Sequence, residues 1–171
     1  MRKTLIAFFF LPLLAFVTTD WVTTKLDDRA SIDFPFQIES KDMGGNPLWI
    51  QEINKDARCM AMVFDFGKLG LDSASLAAEM GKPESFEQFK QGVVGQLEGA
   101  SVISDKNTTI NGRKVFEYVV DMGKKDTSEL NRMYNRNIFI GEKMYTLSFF
   151  EKDKSPQAQL RNKFFNSFKE K

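Results

Sequence analysis

Polar and apolar positions along the chain fall into short alternating runs separated by turn residues, after one uninterrupted apolar stretch from Leu5 to Val17. That stretch follows Arg2 and Lys3 and is shorter than the roughly 20 residues a spanning helix needs, which is the pattern of an export signal. Residues 1–19 are therefore expected to be a signal peptide or, without efficient cleavage, an N-terminal anchor formed by residues 5–17. Ala15 to Thr19 contain no A-x-A, so the pattern fixes no cleavage point, and no cysteine follows the run as a lipoprotein would require.

Beyond this segment the short runs predict strands. Trp21 to Leu26 and Ala30 to Ile38 read as two opening strands, parted by Asp27 and Asp28 and interrupted by Pro35. Gly44, Gly45, Asn46 and Pro47 mark a loop from Lys41 to Pro47, followed by strands over Leu48–Ile53 and Arg58–Phe66. In the second of these, Met60, Met62, Phe64 and Phe66 share one face while Cys59, Ala61 and Val63 share the other, which predicts a strand covered on both sides.

Asn111-Gly112 is the strongest turn signal, because a two-residue type I′ turn needs positive φ at both positions. It joins strands over Val102–Ile110 and Arg113–Met122, and counting outward pairs Ile110 with Arg113, Lys106 with Glu117 and Ile103 with Val120. Val115, Phe116, Tyr118, Val119 and Val120 fill both faces, as in a central strand. A polar connection over Gly123–Glu129 leads to strands over Leu130–Ile140 and Met144–Phe150 around a turn at Gly141.

Helical spacing appears three times. Ala74–Met80 predicts a short helix ended by Gly81 and Pro83. Ser85 and Gln88 form a capping box ahead of Phe86, Phe89, Val93 and Leu97, with Gly99 as a left-handed cap; this stripe reads as core rather than as a binding groove. Ser155 as N-cap and Pro156 at the first helical position open a closing helix that carries Leu160, Phe164, Phe165 and Phe168. The predicted fold class is α+β, with a single mainly antiparallel sheet and helices packed on both of its faces, all within one domain over residues 20–171.

Composition narrows function mainly by exclusion. The 171 residues carry 24 Lys plus Arg against 23 Asp plus Glu, a balance that lacks the basic surplus of a nucleic-acid partner. The chain has no histidine, which removes Ser-His-Asp and Cys-His hydrolases and most zinc chemistry. Cys59 is the only cysteine, so no internal disulfide forms, and its place among apolar residues makes it a small buried hydrophobe. No cofactor and no metal is expected.

Four groups of residues resemble the PsbP-like fold: Ile32-Asp33-Phe34-Pro35, the hairpin Ile110-Asn111-Gly112-Arg113 leading into Val115–Val120, the strand Tyr145-Thr146-Leu147-Ser148-Phe149, and the closing Phe164-Phe165-Asn166-Ser167-Phe168. The similarity runs from about Lys25 to Phe168. It is the pattern shared by PsbP photosystem extrinsic proteins, the Ran-binding Mog family and DcrB-like bacterial envelope proteins. The resemblance implies a non-catalytic binding or assembly role and transfers no functional residue.

Candidate chemistry is sparse. Arg132, Tyr134 and Arg136 fall at alternate positions of one strand, so two guanidiniums flank a phenol and could grip a carboxylate or phosphate; they are the candidate binding residues. Asp65, Glu117 and Asp121 are strand carboxylates that would have to converge to transfer protons. Asp27 and Asp28 lack the spaced ligands of a calcium loop, and Gly67-Lys68-Leu69-Gly70 lacks the spacing of a phosphate loop. Asn107-Thr108-Thr109, a formal glycosylation sequon, falls inside a predicted strand.

The expectation is an exported, periplasmic or secreted, non-enzymatic accessory domain of the bacterial envelope. Its partner would be an envelope protein or a small ligand, met through a sheet edge or the loops near Gly44 and Lys124. No nucleic acid takes part, and the membrane is met only through an uncleaved N-terminal segment. The alternative is a histidine-independent enzyme using the strand carboxylates and arginines.

Overall fold

The structure, a computed structural model, describes residues 20–123 and 129–171; the expected signal segment and Lys124 lie outside them. The strands are β1 (Val22–Lys25), β2 (Ala30–Phe34), β3 (Lys41–Met43), β4 (Asn46–Asn54), β5 (Ala57–Asp65), β6 (Ser101–Ile110), β7 (Arg113–Asp121), β8 (Arg132–Ile140), β9 (Lys143–Glu151) and β10 (Lys169–Glu170). A 3₁₀ turn covers Phe66–Leu69, and the helices are α1 (Ser73–Gly81), α2 (Pro83–Val94) and α3 (Ala158–Asn166). Antiparallel pairing orders seven strands as β3-β4-β5-β9-β8-β7-β6. Among the described residues no helix is long and apolar enough to cross a membrane.

The α+β class expected from the pattern is present, but the single sheet is not. β1, β2 and β10 make a separate three-stranded antiparallel sheet. Pro35 cannot extend the ladder, so β2 ends at Phe34 instead of running to Ile38, and its alternation gives no sign of which sheet it joins. The loop expected over Lys41–Pro47 is also a hairpin. Gly44 and Gly45 take positive φ, and Pro47 sits opposite Asp42 on the outermost pair of strands, where its missing donor costs little.

The Asn111-Gly112 turn forms with positive φ at both residues and sets Ile110 against Arg113 and Lys106 against Glu117. The register then shifts between Val102 and Ser104, so Val102, not Ile103, lies opposite Val120. Ile103 becomes the extra residue of a bulge and is exposed, which no count outward from the turn can foresee.

Two helix starts also move. Ser85 is no N-cap, because α2 already begins at Pro83; its hydroxyl donates instead to the Glu79 carbonyl at 2.7 Å and ties α2 to α1. α3 starts at Ala158 after Gln157, while Ser155 is held in a bridge to Lys152. α2 stops at Val94, so Gly99 keeps its positive φ of 75° in the turn beyond rather than capping the helix directly.

Two clusters of buried side chains lie against the seven strands. Cys59, Ala61, Val63, Val115, Ile138, Tyr145, Leu147 and Phe149 meet Ile32 and Phe34 of the small sheet and Phe164 and Phe165 of α3. Phe164 is fully buried, with its ring centroid 5.6 Å from that of Phe34 and 6.4 Å from that of Phe149. The alternate residues of the same strands, Phe116, Tyr118, Val120, Met133, Phe139 and Met144, meet Leu76 of α1 and Phe86 of α2. Burying a phenylalanine of this kind contributes roughly 1.5–3 kcal/mol, so these contacts fix the positions of the helices.

Candidate functional site

β5, β9, β8 and β7 stand side by side, and their register lines up two rows of side chains on one face. One row reads Met60, Ser148, Asn135, Tyr118 and the next Met62, Thr146, Asn137, Phe116. Strands repeat at about 4.8 Å while a helix with its side chains is roughly 10 Å across, so α2 covers only part of this width. Phe86 stacks on Phe116 at 4.3 Å between centroids, and Phe89 meets Tyr118 edge-on at 6.2 Å. Lys90 fixes that placement through ion pairs with Asp105 of β6 and Glu87.

What α2 leaves uncovered is a groove of about 470 Å³. Met60, Met62, Phe64 and Phe66 form its outer side, Phe89 and Val93 of α2 with Gln96 of the turn beyond it the facing wall, and Tyr118, Met133, Asn135, Met144, Thr146 and Ser148 its floor. The alternation in β5 is therefore split differently from the expectation. Cys59, Ala61 and Val63 are buried, whereas Met60, Met62 and Phe64 remain half-buried beside the groove. Phe86 of the α2 stripe is core as expected, but Phe89 and Val93 of the same stripe line the groove.

No side chain lining the groove is charged. Its polar groups are mostly paired with one another across β8 and β9: Thr146 Oγ1 donates to Asn137 Oδ1 at 2.8 Å and Ser148 Oγ to Asn135 Oδ1 at 2.6 Å. Burial pushes the Tyr118 phenol up to about 12, against a hydrogen bond with Asn137 that works the other way. The Asn135 Nδ2, on a side chain only 5% exposed, has no hydrogen-bond partner.

Arg132, Tyr134 and Arg136 do project from one side of β8, as their spacing predicts, on the side that meets α3. There Arg132 pairs with Asp153 at 2.6 Å. Arg136 pairs with Glu117 at 2.7 Å and donates to the Phe165 carbonyl at 3.1 Å. The guanidinium of Arg161 lies 3.9 Å from the centre of the Tyr134 ring. Glu151, a residue without any signal in the sequence, is fully buried beside them and accepts from Arg161 Nη1 at 2.7 Å and from the Gln157 backbone at 3.0 Å. Burial, and next to it the charge of Glu151, raise the pKa of Tyr134.

The three strand carboxylates do not come together. Asp65 accepts from Gly67 N at the start of the 3₁₀ turn, and Asp121 accepts from Gly123 N. The ladder places Asp65 with Lys143 at one end of the strands and Asp121 with Arg132 at the other, which separates them by about 25 Å at the rise of a strand. Asp27 is likewise committed, to Lys143 at 2.9 Å and Tyr145 at 2.8 Å. Among the described residues no group of three or more Asp, Glu or Cys could hold a metal ion.

No family model matches the sequence, and no curated protein does. Solved structures do resemble the fold. The solution structure of cyanobacterial PsbP (CyanoP) from Synechocystis sp. PCC 6803 matches with a TM-score of 0.56 at 12% identity, over 83% of this chain and 86% of that one. The Ran-binding protein Mog1p of Saccharomyces cerevisiae matches with a TM-score of 0.48 at 9% identity, over 89% of this chain and 96% of that one. With the seven-stranded antiparallel sheet, the small second sheet and the three helices found among the described residues, the chain has a PsbP-like fold.

Proposed function

We propose that the chain is an exported, non-catalytic binding or assembly accessory domain of the bacterial envelope. In this reading it is an α/β/α sandwich whose two clusters share the strands of the large sheet and unfold as one unit over residues 20–171. The groove between α2 and β5 is its binding site. The observation that carries the reading is the character of that groove: about 470 Å³, half-open, lined by methionines and aromatic rings and free of charge. The alternative, a histidine-independent enzyme, needs Asp65, Glu117 or Asp121 to converge with Arg132 or Arg136 in a deep cleft. Glu117 does meet Arg136 at 2.7 Å, but that guanidinium is also tied to the Phe165 carbonyl, and the register keeps Asp65 and Asp121 at opposite ends of the strands.

Two measurements on the full chain in a bacterial host test it. Cell fractionation with the intact mass of the recovered chain checks export, which predicts an envelope or secreted species lacking the apolar leader or held by it. Organic extraction of that species should release an apolar compound in stoichiometric amount, and Met62→Glu, which puts a charge at the rim of the groove, should release none. A cytoplasmic chain, or equal extraction from both proteins, overturns the reading.

A further inference from the structure

We infer that the groove takes a small, neutral, apolar molecule that carries one hydrogen-bond acceptor, held by a hydrogen bond from the side-chain amide of Asn135. The inference deepens the groove reading above and rests on it. Asn135 is 5% exposed, its Oδ1 is occupied by the Ser148 hydroxyl at 2.6 Å, and its Nδ2 has no partner. A buried amide donor that has lost water and gained nothing in exchange is a cost that an arriving oxygen acceptor removes.

The lining decides the rest of the ligand's chemistry. An ionised head would be stripped of water in a site with no counter-charge, so the occupant is neutral. Met60, Met62 and Met133 present flexible thioethers that adapt to a planar or branched apolar body. A peptide segment would bring several backbone N–H and C=O groups to a floor whose Thr146 and Ser148 hydroxyls are already given to Asn137 and Asn135, and the amide nitrogen of Asn137, the other donor left over, is fully buried outside the groove lining. That mismatch favours a small molecule over an extended chain, and about 470 Å³ is within the size range of small-molecule sites.

Prodan, a neutral naphthalene with one ketone, is a suitable probe because its emission reports both an apolar site and hydrogen bonding to the ketone. The unmodified chain should bind it saturably, and Asn135→Leu should weaken binding by about tenfold, the loss of one net hydrogen bond. Should Asn135→Leu fold poorly, the same factor is read on the unmodified chain by comparing Prodan with its analogue in which the ketone is reduced to methylene. Anilinonaphthalene sulfonate, which cannot shed its charge, should not displace Prodan. If Met62→Glu abolishes binding while Asn135→Leu and removal of the ketone change nothing, the groove stands and the role of Asn135 is overturned. If Prodan fails to bind, or binds regardless of Met62→Glu, the groove reading falls and this inference with it. Sedimentation in which the unmodified chain dimerises and Met62→Glu disperses it would make the occupant a second copy, and would also overturn the inference.

Discussion

The hydroxyl of Tyr145 donates a 2.8 Å hydrogen bond to Oδ2 of Asp27, joining the central part of the seven-stranded sheet to the turn between β1 and β2. Asp27 also accepts from Lys143 at 2.9 Å and from the backbone of Arg29 and Ala30. The small sheet is thus fixed to the large one by polar contacts at one end and by Ile32, Phe34 and Phe164 in the middle.

The ionisation of Asp27 follows from these contacts. Burial opposes the charge, but hydrogen bonds from Lys143 and Tyr145 and from the Arg29 backbone outweigh it, so the folded pKa lies below the ordinary 3.8. A carboxylate depressed in the folded state stabilises above its unfolded pKa, and that contribution is lost as pH falls through the folded value. Stability should therefore decline below about pH 4, and Asp27→Asn should flatten that limb of the curve while lowering stability near neutrality. Tyr145→Phe should cost about 1–2 kcal/mol at neutral pH. Urea unfolding across acid pH checks both; an acid limb unchanged by Asp27→Asn contradicts the assignment.

Cys59 points into the cluster beneath β2 and is fully buried, and burial pushes its thiol up to about 12. Little thiolate exists near neutral pH and no path reaches it without unfolding. Ellman's reagent should therefore leave the native chain unlabelled over the minutes in which it labels the urea-unfolded chain completely. Rapid stoichiometric labelling under native conditions would mean that β5 opens far more readily than its position between β4 and β9 implies.

How much of this was legible depends on the range of the interaction that decides it. The Asn111-Gly112 hairpin was, because two residues needing positive φ fix a turn and the strands follow outward from it. The bulge at Ile103 was not, since a two-against-one mismatch is settled by packing on neighbouring strands. The membership of β2 in a second sheet was hidden for a similar reason: alternation marks which side chains turn inward, not which strand lies alongside.

The groove was half visible. Alternation put Met60, Met62 and Phe64 on one face of β5, but how far a short helix reaches across seven strands is a matter of layer geometry that no local pattern carries. Asn135 was missed, although a signal existed. Counting outward from the Gly141 turn, by the same rule that applies to Asn111-Gly112, sets Asn137 against Thr146 and Asn135 against Ser148. Two amides facing two hydroxyls in otherwise apolar strands mark a polar line inside a core.

Gly123 offers a test of backbone proximity apart from backbone conformation. Its φ is +66°, and a Cβ there would stand 2.4 Å from the Gly99 carbonyl oxygen, whereas Gly44, with φ +64°, has open space around it. Gly44→Ala should cost about 1 kcal/mol for the left-handed conformation alone. Gly123→Ala carries that strain and must also push two backbone segments apart, so it should cost about 2–4 kcal/mol. Thermal unfolding of the two variants compares them directly, and equal losses would mean that the approach of residues 99 and 123 relaxes freely.

Arg136 is held at both ends of its guanidinium, by Glu117 at 2.7 Å and by the Phe165 carbonyl at 3.1 Å, and it lies 5.0 Å from the centre of the Phe165 ring. An anionic partner gripped by Arg132 and Arg136 would have to displace Glu117 and Asp153. Arg136→Ala leaves Glu117 without its cation and the last turn of α3 without its anchor, so it should destabilise by about 1–3 kcal/mol. Arg132→Ala exchanges a contact to the exposed Asp153 and should cost about 1 kcal/mol or less. Phosphate or a dicarboxylate added to the unmodified chain separates the two roles: a contact face raises the melting temperature with ligand concentration, an effect lost in the double variant, while a purely anchoring pair leaves it constant.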